Sequence, residues 1–185
     1  MKTNKLIPIF LLFLFSATVQ AQEKVKVTLE TPQNGMFSVS PTVPADGMVA
    51  KGTRFTVTAK PDKGYVFDCA FQGVKVPWGL TYNETNDNPG VIVADRDITL
   101  GAAFLPESEF KDIKITKNVV YARPGKKTLK YDVYSPAKAR NLPIVVIVHG
   151  GGWSSNTEDI MRGLGREIAK SGRYVAFSID YRFIG

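Results

Sequence analysis

Residues 144–148, Ile-Val-Val-Ile-Val, form an unbroken run of β-branched apolar side chains, followed by His149, three glycines and Trp153. A short run of this kind reads as a strand buried on both faces, as in parallel sheets. Glycine has no Cβ, so it reaches φ > 0 and lets another group approach the backbone closely. A buried strand that breaks into Gly150-Gly151-Gly152 therefore presents free backbone N–H groups at the carboxyl end of a sheet. In open α/β sheets that is where ligands bind.

The residues on either side extend this reading. Residues 154–159, Ser-Ser-Asn-Thr-Glu-Asp, have the composition of a capped helix start, and Ile160, Leu164 and Ile168 recur on one helical face. Ser171-Gly172 supplies a stop, and residues 174–179 form a second apolar strand ending at Asp180. Strand, helix, strand is a βαβ unit and implies a parallel pair. Upstream, residues 113–116 and 128–134 alternate around the turn Arg123-Pro124-Gly125-Lys126-Lys127 and read as an antiparallel hairpin, with both lysines solvated in the turn.

His149-Gly150-Gly151-Gly152-Trp153 after a Val/Ile strand resembles the oxyanion-hole loop of α/β-hydrolase esterases and lipases. Asp132-Val133-Tyr134-Ser135-Pro136 before it and Asp180-Tyr181-Arg182 after it are similar to motifs of secreted carbohydrate esterases and hormone-sensitive-lipase-like enzymes. The resemblance covers residues 110–185. It implies the start of an α/β-hydrolase sheet, in which the backbone N–H groups of Gly151 and Gly152 form the oxyanion hole. His149, Gly150 and Trp153 shape the loop, and His149 is not the catalytic histidine. It also implies a G-x-S-x-G nucleophile elbow, an acid and a histidine further along, and residues 1–185 contain none of these. Ser154 and Ser155 lack the closing glycine of such an elbow and have no base. The expectation is thus the N-terminal portion of a serine ester hydrolase, cut before its nucleophile and inactive as it stands. It would act on acyl or aromatic esters of polysaccharide and need neither cofactor nor metal.

The preceding residues differ in kind. Lys2 and Lys5, the apolar run of residues 6–15 and small residues up to Ala21 have the pattern of a secretory signal peptide cleaved after Ala21. The apolar run is too short to span a bilayer comfortably. A secreted or periplasmic bacterial protein, free of the membrane after cleavage, is expected. Without those 21 residues about 164 remain, carrying 22 basic and 17 acidic side chains, a net charge of +5. The charges are scattered, which argues for solubility and against a nucleic-acid partner. Cys69 is the sole cysteine, so no intrachain disulfide forms; it reads as a small buried residue.

Residues 22–105 read as an all-β module. Strands are expected at 25–29, 55–59, 65–71, 91–93 and 98–104, with turns at 31–35, 61–64 and 83–90. Residues 51–67, Lys-Gly-Thr-Arg-Phe-Thr-Val-Thr-Ala-Lys-Pro-Asp-Lys-Gly-Tyr-Val-Phe, resemble the core of internalin-type B repeats, and residues 94–104 resemble that repeat's closing strand. The resemblance implies an accessory module of a secreted protein. Its apolar residues are expected in the core, with Tyr65, Trp78 and Tyr82 as candidates for stacking on sugar. Residues 106–185 would be the hydrolase part. The alternative is a non-catalytic binding or adhesion-type module carrying a hydrolase remnant.

Overall fold

The computed structural model describes residues 22–77 and 79–184. The expected leader and the aromatic candidate Trp78 lie outside the described residues. Among those described, no helix is long and apolar enough to cross a membrane.

The module contains β1 (Lys24–Leu29), β2 (Gly35–Ser40), β3 (Met48–Ala50), β4 (Thr53–Pro61), β5 (Tyr65–Val76), β6 (Gly79–Thr85), β7 (Gly90–Ala94) and β8 (Ile98–Pro106). They form a five-stranded sheet, β3-β1-β8-β5-β6, and a three-stranded sheet, β2-β4-β7. Alternation fixes the inner faces: Val25 and Val27 of β1, and Phe55, Val57 and Ala59 of β4, are buried between polar neighbours. With Ile92, Ile98 and Leu100, the residues Val25, Val27, Phe55 and Val57 build the core. The first strand pairs in parallel with the last, Val27 opposite Ile98, which closes the module. Cys69 is 1% exposed, and burial pushes its thiol up to about 12, so it packs as an inert residue. Tyr65, a candidate above for sugar stacking, is partly buried and packs against the small cluster of Ala59, Ala102 and Phe104.

The second part contains β9 (Ile113–Ala122), β10 (Leu129–Pro136), β11 (Ile144–Val148), α1 (Arg162–Lys170) and β12 (Val175–Ile179). The sheet order is β11-β12-β10-β9. The expected hairpin is present, β9 antiparallel to β10, and β11 runs parallel to β12 on either side of the helix. The sheets are thus mixed, and the βαβ unit is the α/β element. Two expectations are corrected. Strand β11 is buried on one face only: Ile147 is 5% exposed, but Ile144, Val146 and Val148 are exposed, because β11 is an edge strand with nothing described over its second face. Helix α1 turns a shifted face inward. Ile168 packs on the core as expected, but Leu164 is exposed, and Gly165, Arg166 and Ala169 are buried.

The cause of that rotation lies in the module. Asp68, on β5, receives Arg162 Nε at 2.9 Å and Arg166 Nη1 at 2.5 Å. Arg162 also pairs with Glu84 of β6 and approaches Cys69 Sγ at 2.9 Å. Gly165 sits flat on Tyr134, where an added Cβ would lie 2.5 Å from the ring. The absent side chain lets the helix settle between Tyr134 and the acidic edge of the module. A second bridge is Asn86, whose Nδ2 donates to Asp132 at 2.8 Å and whose N–H donates to Asp159 at 3.0 Å. The two parts are therefore joined through buried charge and amide groups.

Candidate active site

Because β11 and β12 are parallel, with Val148 opposite Ile179, the residues that follow them emerge side by side. The two glycine- and aspartate-bearing motifs meet there. The His149 ring is stacked on Tyr181 with centroids 4.4 Å apart, and Tyr181 Oη donates to His149 O at 3.0 Å. Nδ1 of His149 lies 2.7 Å from Gly150 O, a contact that requires the proton on Nδ1. Nε2 lies 3.6 Å from Asp180 Oδ1. His149 is 3% exposed. Lys127, expected to be solvated, is instead engaged: it donates to Tyr181 O at 2.9 Å and stands 3.6 Å over the Phe183 ring. An ammonium gains from both a carbonyl and an aromatic face.

The three glycines are not equivalent. Gly151 has φ +122, and a Cβ there would lie 2.4 Å from Ser155 O. Gly152 has φ +60 with open space, and a Cβ on Gly150 meets nothing within 4 Å. Gly151 is thus required for both conformation and room, and Gly152 for conformation. Trp153 also takes positive φ, 57°, and its side chain is 66% exposed. Such a backbone is strained for a bulky residue and persists only when its surroundings hold it. Here Ile184 N–H donates to Trp153 O at 3.0 Å. Ser154 and Ser155 tie the turn shut through their hydroxyls, 3.3 and 3.0 Å from Gly151 O, and Asn156 Nδ2 donates to Gly150 O at 3.4 Å. The N–H groups of Gly151 and Gly152 donate to no described residue.

Beneath the loop lies a group of acids that sequence reasoning missed. The expected helix start is a 3-10 turn, Glu158–Met161, and Glu158 and Asp159 point inward at 4% and 8% exposure. Burial pushes the Glu158 carboxyl up to about 7, reinforced by Asp159, Asp180 and Asp132. Burial likewise raises Asp159 to about 6, against the N–H of Asn86. Asp132, fully buried, accepts from Asn86 Nδ2 and from Asn118 N–H, each at 2.8 Å. The available signal was the aspartate that opens each flanking motif, Asp132 and Asp180.

A folded-state pKa above the unfolded value means the native chain holds the proton more tightly. Glu158 thus contributes stability that is present below about pH 4.5 and lost as pH rises through about 7. We expect the melting temperature to fall by several degrees between pH 5 and pH 8. In Glu158→Gln, which carries no such proton, the fall should shrink by half or more; an unchanged slope in thermal melts would refute the assignment.

Residues 131–185 match the BD-FAE family model, and residues 18–108 match that of the divergent InlB B-repeat domain. No curated protein matches the chain. Similar solved structures are esterase B from Lactobacillus rhamnosis (HN001) and a C6-C4 SN3 inhibited esterase B from Lactobacillus rhamnosis, each 27% identical with a TM-score of 0.34. The match covers 42% of this chain and 28% of the inhibited enzyme's chain, or 27% of the other, so the chain spans under a third of esterase B. Its two segments thus match different families: a divergent InlB B-repeat at residues 18–108 and an α/β-hydrolase-type esterase of the BD-FAE family at residues 131–185.

Proposed function

We propose that this chain carries the leading segment of a secreted serine ester hydrolase, a carboxylesterase acting on acyl or aromatic esters of polysaccharide. The observation that carries the reading is the pair of Gly151 and Gly152 amides, which donate to no described residue in a turn held by Ser154, Ser155 and Asn156. Ester hydrolysis passes through a tetrahedral oxyanion, and preorganised N–H donors stabilise it at no reorganisation cost during reaction. His149, locked between Gly150 O and Tyr181, fits loop positioning rather than proton transfer. The nucleophile, acid and base belong to a segment that follows in such hydrolases. The alternative reading, a binding module with an inert remnant, gives no reason for two arginines of the hydrolase segment to be buried against Asp68.

The test joins residues 22–185 to the nucleophile-bearing remainder of a BD-FAE relative and measures turnover of an activated acetyl ester. The joined enzyme should be active, while residues 22–185 by themselves give no rate above buffer. A folded but inert joined enzyme, or turnover by residues 22–185 that Ser154→Ala or Ser155→Ala abolishes, would overturn the reading.

A further inference from the structure

A cleft of about 360 Å³ opens between the glycine loop and the module. Its volume is within the range of small-molecule sites. One side is formed by Gly151, Ser155 and Asn156, the other by the inner face of β5 and β6. The register assigns that face: Gln72 lies opposite Asn83, and Val74 opposite Thr81, so these four side chains share one side of the sheet. Tyr82 pairs with Gly73, and its ring packs edge-on against Phe71 at 5.6 Å. Tyr82 stays 43% exposed and borders the cleft, which presents hydrogen-bonding groups beside an aliphatic strip.

Three observations define the ligand chemistry. Among the described lining residues the one cation, Arg96, is held by Asp95 through two contacts of 3.1 Å, so the cleft offers no unpaired positive charge to an anion. Its remaining polar side chains are neutral: the amides of Gln72, Asn83 and Asn156, and the hydroxyls of Thr81, Tyr82 and Ser155. Finally, Gln72 Oε1 is buried and accepts no hydrogen bond from a described residue. A buried acceptor without a donor costs free energy, and a ligand hydroxyl would relieve it.

We propose that the module supplies a subsite for a neutral glycosyl unit, with Gln72 and Asn83 hydrogen-bonding its hydroxyls and Val74 meeting its C–H face. The subsite rests on the esterase reading in one respect: it holds the sugar side of an ester whose carbonyl lies at the Gly151 turn. The module is then part of the substrate site and sets specificity, rather than tethering the enzyme from a distance.

The experiment is a titration of residues 22–185 with xylotetraose, arabinotetraose and cellotetraose, followed by saturation-transfer NMR. It requires no turnover. At least one should bind with a Kd in the millimolar range or tighter, and both Gln72→Leu and Asn83→Ala should weaken it fivefold or more. Gln72→Leu removes an unpartnered acceptor, so its melting temperature should equal or exceed that of the parent; lost affinity then reports the subsite and not unfolding. The proposal is overturned if none of the three binds at about 10 mM, above the Kd of a weak site, or if both variants keep parental affinity. Activity of the joined enzyme without such binding sinks the subsite and leaves the esterase reading intact. Variant-sensitive binding with an inert joined enzyme does the reverse.

Discussion

Asp68→Asn is expected to lower the melting temperature by about 10 °C. The substitution keeps the shape of the side chain and removes its charge, leaving Arg162 and Arg166 in a buried site with only Glu84 as an acidic partner. Breaking a buried pair by removing one partner costs about 3–5 kcal/mol, since the other charge stays desolvated. For a chain of this size each kcal/mol corresponds to about 2–4 °C. The control is Glu23→Gln, which breaks an ion pair with Lys51 that is largely exposed on both sides. Exposed pairs contribute about 0–1 kcal/mol, so that melt should shift by about 4 °C or less. Replacing the cluster together, as Asp68→Leu and Glu84→Gln with Arg162→Met and Arg166→Leu, should recover much of the loss, because well-packed neutral groups substitute for buried ion networks. A melt of Asp68→Asn within 2 °C of the parent would show that the clasp holds nothing.

The second large effect is catalytic. In the joined enzyme, Gly151→Ala should reduce kcat by about 10²–10³ with KM little changed, the loss associated with one misplaced oxyanion donor. Even one methyl is enough, since the added carbon would meet Ser155 O at 2.4 Å and must rotate the peptide out of its φ of +122°. Gly150→Ala enters open space and should cost less than tenfold. His149→Ala should lower the melting temperature by several degrees and kcat by about tenfold or less, because the ring's stacking on Tyr181 orders the loop. Gly151→Ala with a parental melt and kcat within threefold of the parent would remove the oxyanion assignment.

What the sequence revealed follows from how much each element buries. Strands β1 and β4 were legible because Val25, Val27, Phe55, Val57 and Ala59 alternate with polar residues on a half-buried face. Strands β2, β3 and β6 were not anticipated, and all three are sheet edges. Gly79–Thr85 is mostly exposed, so no pattern was imposed on it, and its last residues read as a turn. The helix was legible in existence and only partly in orientation: Ile168 packs inward as its period predicts, but Arg166 counts as polar in any periodicity, and Asp68, far away in sequence, draws it inside. The glycine loop was legible as a motif. Its contact with Asp180-Tyr181 was not, since it depends on β11 and β12 being parallel neighbours. The different demands on Gly150, Gly151 and Gly152 appear only in dihedral angles and in the space around each.

The clasp also orders events in time. Asp68 and Arg166 are 98 residues apart, and the parallel pairing of β1 with β8 waits for Ile98 and the residues after it. Chains emerge amino end first, and contacts of long sequence separation form slowly. The repeat therefore completes its two sheets while the helix is still being made, and offers a finished carboxylate to a helix that has yet to choose its inward face. Arg162 and Arg166 settle that choice on arrival. In this sense the repeat acts as a cis-acting mould for the first layer of the βαβ segment, and a chain that received that segment before its repeat would have to find the same helix rotation without a guide.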